Sequence, residues 1–112
     1  MREHRPIELY RGGEFTRDYI HVDDVSRAID LVLEKGKLNT IYNIGNGVSL
    51  VFKDLIYLAK DLLNSTSVIS TIEPTDFHKI VQVESFYMDN SKLKKLGYAP
   101  SWSTHDMVKS LL

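Results

Sequence analysis

Arg17-Asp18-Tyr19-Ile20-His21-Val22-Asp23-Asp24-Val25 orders the rest of the chain. Tyr19 to Val22 alternates as a short strand does. Asp23 or Asp24 then offers a side-chain oxygen to the free N–H groups at a helix start. Val22, Val25, Ile29, Val32 and Leu33 recur at spacings of three and four, so the pattern predicts a helix to about Lys35 with these residues on one face. Gly36 is expected to end it at positive φ. Arg17 stands just before this framework. Its planar fork of donors suits two phosphate oxygens at once. From the residues alone it could equally be solvated, or paired with Asp18 or Glu14.

The totals bound the answer. The 112 residues suit one compact domain, residues 1–112. With 43% hydrophobic and 26% charged residues, the composition is that of an ordinary globular protein. A net charge of −1 gives no electrostatic case for nucleic acid or an anionic membrane as partner. No apolar run is long enough to cross a bilayer, and the first residues lack the apolar core of a signal peptide. The chain has no cysteine, so it offers no disulfide, thiolate metal site or thiol nucleophile. Together these features lead us to expect a cytoplasmic protein.

Around the central stretch, Pro6 to Tyr10 reads as a strand and Arg11 to Glu14 as its turn. Thr40 to Ile44 is β-branched and aromatic, apolar on both faces, as a buried parallel strand is. Gly45-Asn46-Gly47 turns the chain. Ser49 is expected to cap a second helix running to about Leu63, with Phe52, Leu55, Ile56, Ala59, Leu62 and Leu63 on its inner face. Asn64 is expected to terminate it. Ser67 to Glu73 reads as a strand stopped by Pro74, and Thr75 to Val83 is ambiguous. Phe86-Tyr87-Met88 could form a short strand. Asn90 or Ser91 is expected to cap a short helix closed by Gly97. Ser103-Thr104-His105-Asp106 is like a capping box that opens a last helix.

Metal and nucleophile motifs are sparse. His4, His21, His78 and His105 stand far apart, none with a second ligand at metal spacing. His21-Val22-Asp23-Asp24 could pass for a metal motif, but the aspartates are better read as helix caps. No metal site is expected.

The run Arg17 to Val25 closely resembles a motif of the extended short-chain dehydrogenase/reductase superfamily, the NAD(P)-dependent sugar-nucleotide epimerases and dehydratases of which UDP-glucose 4-epimerase is one. Two more matching motifs follow in the family's order. They are Ile41-Tyr42-Asn43-Ile44-Gly45-Asn46-Gly47 and Met88-Asp89-Asn90-Ser91-Lys92-Leu93-Lys94-Lys95-Leu96-Gly97-Tyr98-Ala99-Pro100. The resemblance runs from about Pro6 onward. It implies an α/β fold: the C-terminal, substrate-binding portion of such an enzyme, about four helices with short strands, without the N-terminal Rossmann domain. Thr40 to Ile44 would then be the last strand of the dinucleotide-binding sheet.

The family's chemistry needs a glycine-rich turn whose backbone meets a pyrophosphate. Gly45-Asn46-Gly47 is the nearest candidate, but the third glycine of the fingerprint would fall at Leu50, so it reads as a turn. The family's catalytic tyrosine lies four residues before a lysine, and no tyrosine here does. No catalytic residue and no cofactor site are therefore expected in this chain. NAD or NADP would belong to the full-length enzyme.

What the resemblance leaves is the substrate side. It implies that Arg17 binds the diphosphate of a nucleoside-diphosphate sugar, that the strand carrying Glu8 lies along the nucleobase, and that Tyr10 packs near it. Many relatives carry a second arginine where this chain reads Glu73-Pro74-Thr75-Asp76. His78 or Lys79 could supply that donor. The expected partners are the nucleotide sugar, the missing Rossmann domain and a second copy in a homodimer. A non-catalytic nucleotide-sugar-binding module, or a structural domain without ligand, are the alternative readings.

Overall fold

The computed structural model describes residues 1–81 and 85–112. Strand β1 (Ile7–Tyr10) lies parallel to β4 (Ile69–Ile72), with Ile7 opposite Ile69 and Tyr10 opposite Ile72. Strand β2 (Thr16–Arg17) runs antiparallel to β3 (Leu50–Val51). The α-helices are α1 (Val22–Lys35), α2 (Phe52–Leu62), α3 (Asp76–Val81), α4 (Ser91–Lys95) and α5 (Thr104–Ser110). A 3-10 turn at Arg11–Gly13 links β1 to β2. The described part is therefore a small α/β unit with five α-helices, one more than the sequence pattern suggests.

The core is thin. Ala28, Leu93 and Tyr98 are buried together, with Ile20, Leu31, Val32 and Ile44 packed against them. Only Leu9 and Val108 join them as fully buried apolar residues among those described. The molecule measures 49 × 33 × 16 Å with a radius of gyration of 16.8 Å. A compact chain of this length would have about 13 Å. A slab 16 Å thick has room for little more than one layer of helices, because a helix with its side chains is about 10–12 Å across.

Helix α1 has the predicted length but turns inward only part of the expected stripe, with Val32 packed on the core and Val25 half-buried. Asp24 and Ala28 are fully enclosed, with Leu31 and Val32 beside them. Val22, Ile29 and Leu33, on the expected buried stripe, are 68%, 46% and 80% exposed. The helix thus carries apolar side chains on two flanks, and the chain itself covers one. Helix α2 keeps its predicted inner face, but none of its residues is fully buried.

Several local expectations are overturned. Tyr19 to Val22 forms no ladder, and neither do Thr40 to Ile44 nor Phe86 to Met88. A strand exists only where a second strand accepts its bonds, and 40–44 has none within the described chain. His21, not either aspartate, caps α1: its Nδ1 accepts the Asp23 N–H at 3.0 Å. Gly36 lies at φ −67°, not at positive φ. A Cβ there would meet the Val32 carbonyl oxygen at 2.5 Å, so space rather than φ demands glycine. Ser49 caps nothing, because Leu50 and Val51 first pair with β2 and α2 begins at Phe52. The α4 start is bonded by Asp89 Oδ1 to the Ser91 N–H at 3.0 Å, while the Asn90 side chain reaches elsewhere. Asn64, by contrast, does stand at φ 50° just past α2, and Ser103 accepts the Asp106 N–H as a cap should. Of the ambiguous 75–83 stretch, Asp76–Val81 is helical, and Gln82 and Val83 lie outside the described residues.

Candidate functional site

The site is built on Asp18. Its carboxylate accepts the backbone N–H groups of Asn46 (2.9 Å), Gly47 (2.8 Å) and Met88 (3.0 Å). Two distant loops are thereby fastened to the end of β2. The approach is close enough to exclude side chains. A Cβ on Gly45 would sit 2.7 Å from Met88 Cβ and 2.8 Å from Asp18 Oδ2, and Gly47 stands at φ +71°. Around the clamp, Asn46 donates to the Tyr19 carbonyl at 2.7 Å and Asn90 to the Gly45 carbonyl at 2.8 Å. The Tyr98 hydroxyl donates to Asn46 Oδ1 at 3.2 Å, and burial followed by the nearby Asp24 charge raises that phenol above its ordinary pKa.

This clamp decides the state of Arg17. Asp18, one of its two candidate acidic partners, is committed to backbone amides. Glu14, the other, bonds Lys53 at 3.1 Å, and that hydrogen bond raises the lysine pKa. Arg17 is half-buried and pairs with no carboxylate among the described residues. Its Nη1 donates to the Thr16 carbonyl at 2.7 Å, and its Cζ lies 4.9 Å over the Phe15 ring. The rest of its fork is available.

Tyr10 and His78, both picked out from the sequence, come together. Their rings lie 4.6 Å apart at 35°. His78 is held by Thr75, whose Oγ1 lies 2.6 Å from Nδ1, so that nitrogen is already engaged. Glu8 is exposed on β1 and Lys79 is exposed on α3. No hydrogen bond, ion pair or ring contact among the described residues joins Arg17 to Tyr10 or His78. Next to Arg17, Thr16 Oγ1 donates to Ser85 Oγ at 3.0 Å.

A second polar centre is Asp24. Its carboxylate is 0% exposed and accepts Ser101 Oγ (2.6 Å), the Ser101 and Trp102 N–H groups and Arg27 Nη1 (2.8 Å). Burial pushes this carboxyl up, but the bonds from Ser101, Trp102 and Arg27 outweigh it, and its pKa lies below the ordinary value. Beside it His21 stacks on Trp102, with ring centroids 3.7 Å apart and planes within 4°. These contacts tie the start of α1 to the segment before α5 and leave Asp24 no room for a ligand.

Sequence reading missed the clamp, the Asp24 centre and the aromatic support of Arg17. Among the described residues no group of three His, Asp or Glu side chains is placed to hold a metal ion. No helix among them is long and apolar enough to cross a membrane. A pyrophosphate does not fit the Gly45-Asn46-Gly47 turn, since the amides it would need already bond Asp18.

Comparison with known proteins places the chain by sequence and fold. The model of the NAD dependent epimerase/dehydratase family matches residues 1–45. The low-salt glycan biosynthesis protein Agl12 of Haloferax volcanii is 31% identical over 93% of this chain and 33% of its own length. A dTDP-glucose 4,6-dehydratase of Streptomyces griseus is 30% identical over 90% of the chain and 30% of its own. The structure of a UDP-glucose 4-epimerase from Thermotoga maritima, solved with UDP-glucose, superposes with a TM-score of 0.85 at 31% identity, covering 97% of this chain and 34% of that one. The chain spans about a third of the length of these relatives. Three ordered motifs, the family match and the shared fold agree: the chain belongs to the NAD-dependent epimerase/dehydratase family of extended short-chain dehydrogenases/reductases.

Proposed function

We propose that this chain is the C-terminal, substrate-holding portion of a sugar-nucleotide epimerase or dehydratase, and that it grips the diphosphate of a nucleoside-diphosphate sugar through Arg17. One observation carries the reading. Among the described residues Arg17 keeps most of its fork free of acceptors, because both neighbouring carboxylates are engaged elsewhere. A half-buried, unpaired guanidinium is costly unless an anion completes it. The Tyr10–His78 pair offers flat ring faces to a base.

The chain supplies orientation, not the redox step. Holding the diphosphate fixes where the sugar ring sits, which removes translational and rotational freedom before reaction. NAD or NADP belongs to the dinucleotide-binding portion of longer relatives. The purified 112-residue chain is therefore expected to bind UDP or dTDP without turning over a nucleotide sugar when NAD is added. A charge-assisted bidentate contact contributes about 1.5–3 kcal/mol. Arg17→Ala should accordingly weaken UDP binding by on the order of 10- to 100-fold in calorimetry, and Arg17→Lys should recover part of it. Equal affinity of wild type and Arg17→Ala removes Arg17 from the site, and turnover by the chain alone refutes the division of labour.

The uncovered apolar surface supports a second proposal, self-association. Val22, Ile29 and Leu33 on α1 continue into Leu38 (93% exposed) and Ile41 (79% exposed). Among the described residues the backbone at 40–44 has no ladder partner. In the whole enzyme a dinucleotide-binding sheet would cover this surface. In the isolated chain a second copy is expected to, as a two-fold dimer. Sedimentation at micromolar concentration should show the dimer, and Ile41→Asp should dissociate it. A clean wild-type monomer rules it out.

A further inference from the structure

We propose that Phe15 is the positioning residue of Arg17, fixing the plane of its guanidinium so that the outward N–H edge is set before a diphosphate arrives. This rests on the reading of Arg17 given above. Residues 15 and 17 stand two apart beside β2, so their side chains share a face. The guanidinium carbon lies 4.9 Å over the Phe15 ring. Phe15 is backed in turn by Phe52, with centroids 5.0 Å apart and planes within 15°. The column is tied at the main chain as well: the Phe52 N–H donates to the Phe15 carbonyl at 3.0 Å, and Arg17 pairs with Leu50 in the β2–β3 ladder.

Each contact restricts one freedom of the arginine. The ring below sets its plane. The Thr16 carbonyl, bonded to Nη1 at 2.7 Å, sets its rotation within that plane. The Asp18 clamp fixes the backbone on the far side. A long side chain held this way loses little further rotamer entropy when a ligand binds, and preorganisation of this kind raises affinity without adding a ligand contact.

Two measurements test the proposal. In ligand-free chain, the Arg17 Nε–Hε signal should be resolved, shifted by the ring current and slow to exchange. Phe15→Leu should return it to the exposed-arginine range, while Phe15→Tyr, which keeps the aromatic face, should preserve it. In UDP titrations Phe15→Leu should weaken binding about 3- to 10-fold, the range of a partly desolvated cation–π contact, with Phe15→Tyr near wild type. The loss should vanish in an Arg17→Ala background. An Arg17 signal unchanged by Phe15→Leu overturns the proposal, as does an equal loss of affinity with and without Arg17, which would mark Phe15 as ordinary packing. If wild type does not bind UDP, the nucleotide reading fails, and the ligand-free signal still decides whether Phe15 holds Arg17.

Discussion

Asp24→Ala is expected to cost about 3 kcal/mol of stability, the largest loss of any single polar truncation among the described residues. The carboxylate is fully enclosed and accepts from the Ser101 hydroxyl, two backbone N–H groups and Arg27. Alanine leaves the two amides and the hydroxyl without an acceptor, each costing about 1–3 kcal/mol where water cannot reach. The cover is only one layer deep in a slab 16 Å thick, so water relieves part of that sum. The Arg27 contribution is small, because its side chain is 53% exposed. The melting temperature should fall by roughly 12–24 °C at 4–8 °C per kcal/mol. Ser101→Ala removes one of the bonds and should cost about 1 kcal/mol, a milder variant if Asp24→Ala does not fold.

The same group gives stability a pH dependence. Its folded pKa is depressed below the unfolded value of about 3.9. The unfolded state therefore binds the proton more readily, and Asp24 stabilises fully above about pH 5. That contribution is lost as pH falls through the folded value. In urea titrations the gap between wild type and Asp24→Asn should be constant near neutrality and shrink below about pH 4. A gap that does not change with pH would place the carboxylate outside this network.

What could be read in the sequence follows from the range of each interaction. The span of α1 was legible because a 3.6-residue period and a glycine stop are local signals. Which flank it buries was not. Ala28 faces Leu93 and Tyr98, and nothing in Val22, Ile29 or Leu33 reveals that they stay exposed among the described residues. Thr40 to Ile44 has strand composition, yet a ladder needs a neighbour, so composition alone over-predicts it. Leu50–Val51 failed in the opposite direction, because a two-residue ladder carries no period. Arg17, Tyr10 and His78 were picked out through the family motifs. The contacts that fix them were invisible, since Phe15 and Phe52 are 37 positions apart (52 − 15) and look like ordinary core residues. Asp23 and Asp24 were read alike, but one side chain lies in solvent and the other at the centre of a network.

Asp18→Ala should combine a stability loss with a loss of ligand affinity, and Asp18→Asn should separate the two. The partners of Asp18 lie 28, 29 and 70 residues away and are backbone amides, which have no sequence signature. Alanine leaves three part-buried N–H groups without an acceptor, and a net cost of about 2–3 kcal/mol follows, since some regain water. Asparagine keeps one acceptor oxygen but presents an amide donor toward Met88 or the 46–47 turn. It should retain the fold at a cost of about 1–2 kcal/mol while releasing the amides bonded to the replaced oxygen. The consequence for function is directional. The clamp holds β2 against the Gly45–Gly47 turn, so loosening it lets Arg17 move relative to the Tyr10–His78 pair without removing any ligand contact. Asp18→Asn is therefore expected to weaken UDP binding about 3- to 10-fold, a cost of ordering rather than of lost bonds. Hydrogen exchange supplies the independent readout. The amides on the replaced oxygen, Gly47 and Met88 if it is Oδ2 or Asn46 if it is Oδ1, should lose protection in the variant, while the α1 amides keep theirs. Protection unchanged at all three would show that the turn and the Met88 segment hold without Asp18, and the clamp would then have no part in placing Arg17.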